Sequence, residues 1–353
     1  METIFKTMGG YYSGMPATLA SIAADLGISR TTVSNAYNHP DQLSPALRRR
    51  ILSYAEARGY TGPNPHARSL RTQRTAALGV VLTEHLSFAF EDRASVDFLA
   101  GVADSSEYAL TLIPTGVSVR NAIVDGVIVY SVPEGTHMLL DAQSRNLPLI
   151  ICDQPTGVAG VPYVGIDDAK AIAPAAEALV AAGHRRIGIL AKRLFSTPTN
   201  GFVAPTDIDA ADLHVQRARI RGALDVFTAA GITAVPVVTR DQNDLAAATD
   251  GARELLETHP ELTAVLCTTD SMALGVIEYC RGRRAIPEEL SVTGFDGIGV
   301  PGLTTVVQPN RRKGEVAAML VRSLIEGRPQ RRERTLLPTT FLQGTSVAPA
   351  PAG

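Results

Sequence analysis

Residues 18–38 read TLASIAADLGISRTTVSNAYN and contain two short helical patterns joined by a turn. Ala23, Gly27 and Val33 stand four and then six residues apart. The small Ala23 lets two helices cross closely, Gly27 suits a turn with positive φ, and the branched Val33 seats the second helix. The spacing predicts a helix-turn-helix, and an ordinary helical hairpin is the alternative.

Cap signals define the helices of this N-terminal region. Ser29 can cap the second helix, which is expected to run to about Tyr37. Ser44 can cap a third helix that ends near Arg58, with Pro45 at its first position. The region is therefore predicted to be all α.

The same region is basic and carries short polar side chains after its turn. Residues 16–75 hold eight Arg against three acidic residues, a charge of +5, whereas residues 76–353 hold 24 basic and 31 acidic residues, a charge of −7. Arg30 and its Ser, Thr and Asn neighbours suit phosphate and base-edge contacts in a major groove. This pattern favours DNA as the partner, and a solvated basic surface is the alternative.

From residue 76 onwards, short apolar runs alternate with helical stretches. The runs cover 76–82, 109–113, 125–130, 148–152, 187–191, 234–239, 264–268 and 290–294, and the clearest helices cover 168–182, 213–230, 244–257, 270–281 and 310–326. Near-continuous apolar strands separated by helices indicate buried parallel sheets. About eight such strands favour two doubly wound lobes, with a ligand at the carboxyl ends of the strands.

Composition narrows the class of protein further. The chain has 353 residues, three cysteines and no tryptophan. The odd cysteine count without C-x-x-C spacing argues against a disulfide framework and favours the cytosol. The sequence offers no apolar run of membrane-spanning length and no apolar segment typical of a secretory signal near Met1.

Motifs for catalysis and cofactors are weak. Residues 297–302 satisfy G-x-G-x-x-G, but no helix is expected to open there and Pro301 interrupts the motif, so we interpret it as a loop. The seven histidines show no zinc-ligand spacing. We expect no metal, no cofactor and no catalytic residues.

Longer segments resemble the lactose/galactose repressor (LacI/GalR) family of transcriptional regulators. The resemblance covers residues 18 to about 343. It rests on the quoted stretch and on LSPALRRRILSYAEARGY, NPHARSLRTQRT, VDGVIVY, VPYVGIDD, AAGHRRIGIL, RARIRGALDVFTAAGI, TAVLCTTDSMALG, IPEELSVTGFDGI and PGLTTVVQP, in the family's order. It implies a helix-turn-helix head, a periplasmic-binding-protein-like body that binds a small effector between two lobes, and a homodimer on operator DNA.

The resemblance also implies roles for individual residues. DNA contacts are expected from Thr18, Ser29, Arg30, Thr31, Thr32, Ser34, Asn35, Asn38, Ala67, Arg68, Leu70 and Arg71. Leu70 matches a leucine that wedges into the minor groove in this family, an insertion that kinks the duplex. Effector contacts are expected from Phe88, Phe195, Arg219, Thr269, Asp296 and Gln308. Because the chain lacks Trp, any stacking on a sugar ring would fall to a Phe or Tyr, such as Phe88, Phe90 or Phe195.

The predicted fold is α/β, with an all-α helix-turn-helix head and a two-lobed, periplasmic-binding-protein-like body of doubly wound parallel sheets. The expected divisions are an N-terminal extension (1–17), the head (18–62), a hinge helix and linker (63–75), the effector-binding and dimerisation body (76–343) and a disordered tail (344–353). The predicted function is a cytoplasmic transcriptional regulator, most simply a repressor, under a small polar effector such as a sugar. The alternatives are a cytosolic small-molecule-binding protein with a non-functional head and, with less support, an enzyme on a similar fold.

Overall fold

The computed structural model describes residues 17–62, 74–83, 86–328 and 333–351, apart from the Phe88 side chain. The chain divides into two units, Met1–Thr75 and Ala76–Gly353. We call the described part of the first unit the head and that of the second unit the body.

The head consists of three helices: α1 (Leu19–Leu26), α2 (Arg30–Asn38) and α3 (Pro45–Ala57). Thr18, Ser29 and Ser44 cap them, since each side-chain oxygen accepts a hydrogen bond from a backbone N–H in the first turn. Gly27 ends α1 with a φ of 65°, which a residue without Cβ adopts at little cost. The three helices and their caps are as the sequence predicts.

The head core comes from one face of each helix. Its buried side chains are Ile22, Ala23, Val33, Ala36, Ile51 and Ala55. Ala23 is 4% exposed and Val33 is fully buried, so the spacing around Gly27 does bring α1 against α2. This core holds α2 with its polar residues outside.

The first lobe of the body is a six-stranded parallel sheet with helices on it. Its elements are β1 (Ala77–Leu82), α4 (Leu86–Glu91), α5 (Arg93–Asp104), β2 (Ala109–Ile113), β3 (Gly126–Tyr130), α6 (His137–Ser144), β4 (Leu149–Cys152) and β5 (Tyr163–Gly165), followed much later by α12 (Asn310–Ile325) and β12 (Arg334–Leu336). The strand order is β2-β1-β3-β4-β5-β12, and all neighbours are parallel.

The second lobe repeats this order in a seven-stranded sheet. Its elements are α7 (Asp168–Ala181), β6 (Ile187–Lys192), β7 (Gly201–Phe202), α8 (Pro205–Ala210), α9 (His214–Ala229), β8 (Val237–Arg240), α10 (Leu245–Thr258), β9 (Ala264–Cys267), α11 (Asp270–Cys280), β10 (Ser291–Asp296), β11 (Thr304–Val307) and β13 (Thr340–Leu342). The strand order is β13-β11-β10-β9-β6-β8-β7, with antiparallel β13 and β7 at the two edges. In both lobes the order reverses beside the first strand, the place where such sheets bind ligands.

The chain passes between the lobes three times. It enters the second lobe between β5 and α7, returns between β11 and α12, and crosses again between β12 and β13. Because of these crossings, residues near 168 and 308 lie at the junction of the lobes, beside the carboxyl ends of both sheets.

The long elements agree with the sequence prediction and the short ones were missed. Each of the five predicted body helices begins and ends within one residue of the range given above. The prediction of eight strands falls short of the thirteen in the described residues, because β5, β7, β11, β12 and β13 have only two to four residues. An apolar run this short does not stand out from a loop in sequence.

The expectation of a disordered tail from residue 344 is wrong for the described residues 344–351. Ser346 is 6% exposed, and its Oγ donates to the Val292 carbonyl at 2.6 Å and accepts from the Thr304 N–H at 2.8 Å. The Ala350 N–H donates to the Ala182 carbonyl at 2.8 Å. The segment is held by backbone groups of the second lobe, which its Ala- and Pro-rich composition does not reveal.

Glycines allow two pairs of helices to pack very closely. A Cβ on Gly314 of α12 would lie 2.1 Å from the Phe98 carbonyl oxygen of α5, and one on Gly101 would lie 1.9 Å from the Arg311 carbonyl oxygen. In the second lobe, a Cβ on Gly222 of α9 would lie 2.2 Å from the Ala169 carbonyl oxygen of α7. Backbone atoms cannot move aside singly, so each helix pair requires these glycines.

We therefore expect Gly314→Ala to lower the free energy of unfolding by about 1–3 kcal/mol, the usual range for overpacking, although alanine is the better helix former. Chemical denaturation measures this. Met319→Ala, on the same helix at a side chain that is 43% exposed, is the matched control and should change stability much less. A Gly314→Ala protein as stable as the wild type would contradict the close packing of α5 and α12.

Candidate functional site

A cavity of about 790 Å³, including its open mouth, lies between the two lobes of the body. The first lobe lines it with Leu82, Thr83, Ala89, Asp92, Ala94, Ser95, Tyr130, Ser131, Asp153 and Gln154; the second lobe and the crossover contribute Lys192, Arg193, Leu213, Val215, Gln216, Arg219, Asn243, Thr269, Asp296 and Gln308. Many of these residues end a strand or directly follow one. The volume is within the range of small-molecule sites.

Arg219 of α9 is a buried cation in this cavity wall. Its Nε donates to Asp168 Oδ1 at 2.9 Å, and its Nη1 donates to the Thr268 carbonyl at 2.8 Å and reaches Asp296 Oδ1 at 3.5 Å. The guanidinium carbon also lies 3.8 Å from the centre of the Phe295 ring. Arg219 is 4% exposed, so these contacts replace its hydration.

The close packing of α9 on α7 brings Arg219 to its carboxylate partner. Gly222 lies one turn after Arg219, and Ala169, whose backbone a Cβ on Gly222 would meet, directly follows Asp168. A larger residue at 222 would push the helices apart and separate the ion pair. Gly222 thus positions Arg219.

Burial changes the acid–base properties of this cluster. It raises the pKa of the Asp168 carboxyl, against the opposing effect of Arg219. Burial also raises the pKa of Asp296 to about 7, with Asp270 and Asp92 adding in the same direction against Arg219. Burial opposes the charge of Arg219, but Asp168 and Asp296 outweigh it and raise the pKa of the guanidinium. Arg219 therefore stays charged, and Asp296 can change protonation near neutral pH.

A chain of hydrogen bonds runs from Asp296 to the first lobe. Gln308 Nε2 donates to Asp296 Oδ1 at 2.5 Å, and Gln308 Oε1 accepts from Lys313 Nζ at 3.0 Å. Lys313 is 1% exposed, and its Nζ also donates to both oxygens of Asp153, at 2.9 and 2.8 Å. The two lobes are thus joined through buried, mutually paired polar groups.

The two aspartates in this series of hydrogen bonds have strained backbones. Asp153 has a φ of 64° and Asp296 a φ of 121°. Such values are unfavourable for residues with a Cβ and persist where the surrounding contacts fix them, often at functional sites. Both aspartates face the same cavity, which strengthens its assignment as a functional site.

The structure brings together most of the effector residues expected from the sequence. Arg219, Thr269, Asp296 and Gln308 line the cavity. The expectation for Phe195 is wrong, because its side chain packs against the core of the second lobe and does not line the cavity. The Phe88 side chain lies outside the described part of the chain.

Sequence reasoning missed several polar residues of the cavity wall. They include Asp92, Asp153, Gln154, Lys192, Arg193, Gln216 and Asn243. Asp153 directly follows the apolar run 148–152, so the rule that sites lie after strands could have found it. Gln216 is inside a helix and nothing in its sequence context distinguishes it.

The polar residues of the head divide into paired and exposed ones. Ser29 and Thr32 share a hydrogen bond of 2.8 Å between their hydroxyl oxygens. Asn35 Nδ2 donates to Gln42 Oε1 at 2.9 Å, whereas Arg30 and Thr31 are exposed.

The remaining predicted DNA contacts are placed as follows. Asn38 Nδ2 donates to the Ser34 carbonyl at 3.0 Å, and Thr18 is exposed while it caps α1. Ala67, Arg68, Leu70 and Arg71 lie outside the described residues.

Two further classes of site can be addressed for the described residues. They contain no cluster of three or more His, Cys, Asp or Glu that could hold a metal ion. None of their helices is long and apolar enough to cross a membrane.

Comparison with known proteins places the chain in a family. Residues 176–347 match the profile of a periplasmic binding protein-like domain. The HTH-type transcriptional regulator IpsA of Corynebacterium glutamicum is 50% identical over 94% of this chain and 98% of its own length. The crystal structure of a LacI-family transcriptional regulator from the same species is 46% identical, covers 95% of this chain and all of its own, and superposes with a TM-score of 0.74.

A third similarity concerns a complex with a ligand. The transcriptional regulator CelR, solved with cellobiose, is 25% identical, covers 94% of this chain and 99% of its own, and has a TM-score of 0.67. With its helical head, its two-lobed body and relatives of this identity over nearly the whole chain, the protein belongs to the LacI/GalR family of transcriptional regulators.

Proposed function

We propose that this protein is an effector-controlled repressor that binds operator DNA through its head and a small polyhydroxylated metabolite, such as a sugar, in the cavity of its body. The observation that carries the proposal is the pairing of Arg219 with Asp296 in the wall of an inter-lobe cavity. An arginine supplies fixed donors and a carboxylate supplies acceptors, so together they match hydroxyls, which both donate and accept.

The polar character of the cavity supports this ligand class. Side chains of both signs and uncharged amides line it, whereas a single charge sign would favour a charged ligand. The relative CelR binds the sugar cellobiose in its solved complex. We infer a neutral ligand rich in hydroxyls.

The head is the proposed DNA-binding unit and comprises residues 18–62. Phosphate contacts from its arginines would give affinity, and α2 would read base edges in the major groove. The segment 63–75 is proposed as the hinge, in which Leu70 of each chain of a homodimer enters the minor groove at the operator centre. Effector binding between the lobes of residues 76–343 would bias the order of that hinge, which couples two distinct sites.

A mobility-shift assay on promoter DNA tests the proposal as a whole. Binding should weaken steeply with salt and respond to the effector. Cytoplasmic location follows from the function proposed. If the body bound its ligand but the head had no affinity for any promoter, the proposal of a transcriptional regulator would be contradicted. A small-molecule-binding protein would then be favoured.

We expect Arg30→Ala to relax specificity at one symmetric pair of operator positions. Arg30 is exposed at the first position of α2, and an arginine that grips guanine contributes about 1–3 kcal/mol of discrimination. Selection of operators from a random pool measures the change. Arg49→Ala, an exposed arginine on α3, is the control and should weaken all sequences alike. An unchanged consensus for Arg30→Ala would rule out its role in base reading.

Arg48 is a less suitable control than Arg49, because its side chain also makes a hydrogen bond within the head. Its Nε donates to the Ala36 carbonyl at 3.1 Å, which ties α3 to α2. Arg48→Ala should therefore weaken all DNA binding partly by loosening the recognition helix.

Arg219→Ala and Asp296→Ala should each abolish the effector response and leave operator binding as it is in the absence of effector. Removal of Arg219 leaves Asp168 and Asp296 buried without their counter-charge, and removal of Asp296 takes the acceptor of the pair out of the cavity wall, so affinity for the effector should fall strongly in both variants. The variants should act as permanent repressors if the effector is an inducer and stay inactive if it is a co-repressor. Calorimetry against a panel of sugars and nucleosides measures the loss, and wild-type affinity in either variant would place the site elsewhere.

Effector affinity should depend on pH through Asp296. Burial raises its pKa to about 7, well above the ordinary value of an aspartate, so the folded protein binds this proton more tightly than the unfolded chain. A hydroxyl that donates to Asp296 needs the carboxylate, and affinity should therefore fall by about tenfold from pH 8 to pH 6. Asp296→Asn should flatten this profile. The same slope in wild type and variant would assign the titration to another group.

A further inference from the structure

Gln216 is a buried amide in the wall of the inter-lobe cavity. It is the third residue of α9, and the residue is 7% exposed. Arg219 follows it by three residues, so the two side chains lie on the same face of the helix. Gln216 is therefore a neighbour of the Arg219–Asp296 pair.

The amide oxygen of Gln216 has no partner among the described residues. Its Oε1 is buried without a hydrogen bond. A buried polar group that makes no hydrogen bond destabilises the folded state. Such a group in a cavity wall calls for a partner that comes from a ligand.

A second glutamine in the same cavity has an amide whose two ends are both hydrogen-bonded to the backbone. Gln154 is 5% exposed, its Oε1 accepts from the Val215 N–H at 3.1 Å, and its Nε2 donates to the Ser131 carbonyl at 3.3 Å. Gln154 thus joins the first lobe to the first turn of α9, directly beside Gln216. The two glutamines have the same chemistry and similar burial, and they differ in whether they are paired.

We infer that Gln216 is a specificity-determining residue that recognises a hydroxyl group of the effector. An amide offers both an acceptor and donors, so it matches a group that can donate and accept, as a hydroxyl does. The inference rests on the proposed function for the identity of the ligand, and on the unpaired amide for the role of the residue.

The neighbourhood of Gln216 defines the ligand more narrowly. One helical turn separates it from Arg219, a rise of about 4.5 Å along the axis. Asn243 lies in the same wall, and its Oδ1 accepts from the Thr269 hydroxyl at 3.0 Å. The effector should therefore carry at least two neighbouring hydroxyls, one at the Arg219–Asp296 pair and one at Gln216. A molecule with a single polar group would leave one of these sites unsatisfied.

Methionine substitutions at the two glutamines test the inference, because methionine has a similar length and no hydrogen-bonding amide. Without ligand, Gln216→Met should raise the unfolding temperature of the full-length protein by about 2 °C or more, since an unpaired polar group is removed. Gln154→Met is the matched control and should lower it, because the Val215 N–H and the Ser131 carbonyl lose a partner.

The second readout uses ligands. The unfolding temperatures of wild type and Gln216→Met are compared with D-glucose, D-galactose, D-ribose or xylitol present. Any of these that stabilises the wild type should stabilise Gln216→Met by less than half as much. An analogue of that compound that lacks the hydroxyl recognised by Gln216 should stabilise the two proteins equally.

Two results would overturn the role of Gln216. One is a lower unfolding temperature for unliganded Gln216→Met, parallel to Gln154→Met, which would make the amide structural. The other is full stabilisation of Gln216→Met by a ligand that stabilises the wild type. If none of the four compounds stabilised the wild type, the sugar-like effector would be contradicted, while the ligand-free comparison would still decide whether Gln216 is paired.

Discussion

The buried guanidinium of Arg219 is the interaction on which the junction of the lobes depends. A charge taken out of water is tolerated only where opposite charges and hydrogen bonds replace its hydration. Asp168, Asp296 and the Thr268 carbonyl do so, and they come from α7, from β10 and from the loop after β9. The lobe must therefore assemble accurately for the site to exist.

The same polar groups connect binding to the relation between the lobes. Asp296 is bonded to Gln308, Gln308 to Lys313 and Lys313 to Asp153, so a ligand that competes for Asp296 acts on a chain that ends in the first lobe. The strained φ of Asp153 and Asp296 shows that this chain holds its members away from their preferred conformations. A junction of this kind suits a protein whose two lobes respond to a small molecule.

The head follows a different principle, since local signals decide almost all of its structure. Three caps, the positive-φ Gly27 between α1 and α2, and six small or branched apolar side chains account for its helices and its core. No buried ion pair is involved, and polar side chains are left on the outside of α2. The head therefore folds on local rules and leaves Arg30, Arg49 and Arg50 exposed.

The sequence by itself predicted the helix-turn-helix and the alternation of strands and helices. These follow from periodicity and caps, which are properties of neighbouring residues. The family resemblance of the sequence, and not its periodicity, implied the choice of Arg219 and Asp296 as effector contacts. Only the tertiary structure decided that the tail from Gly344 seats on the second lobe, that Phe195 packs in a core, and that Lys313 pairs with Asp153 across 160 residues of chain. It also distinguished Gln154 from Gln216, because pairing depends on which backbone groups arrive opposite a side chain, and long-range packing alone sets that.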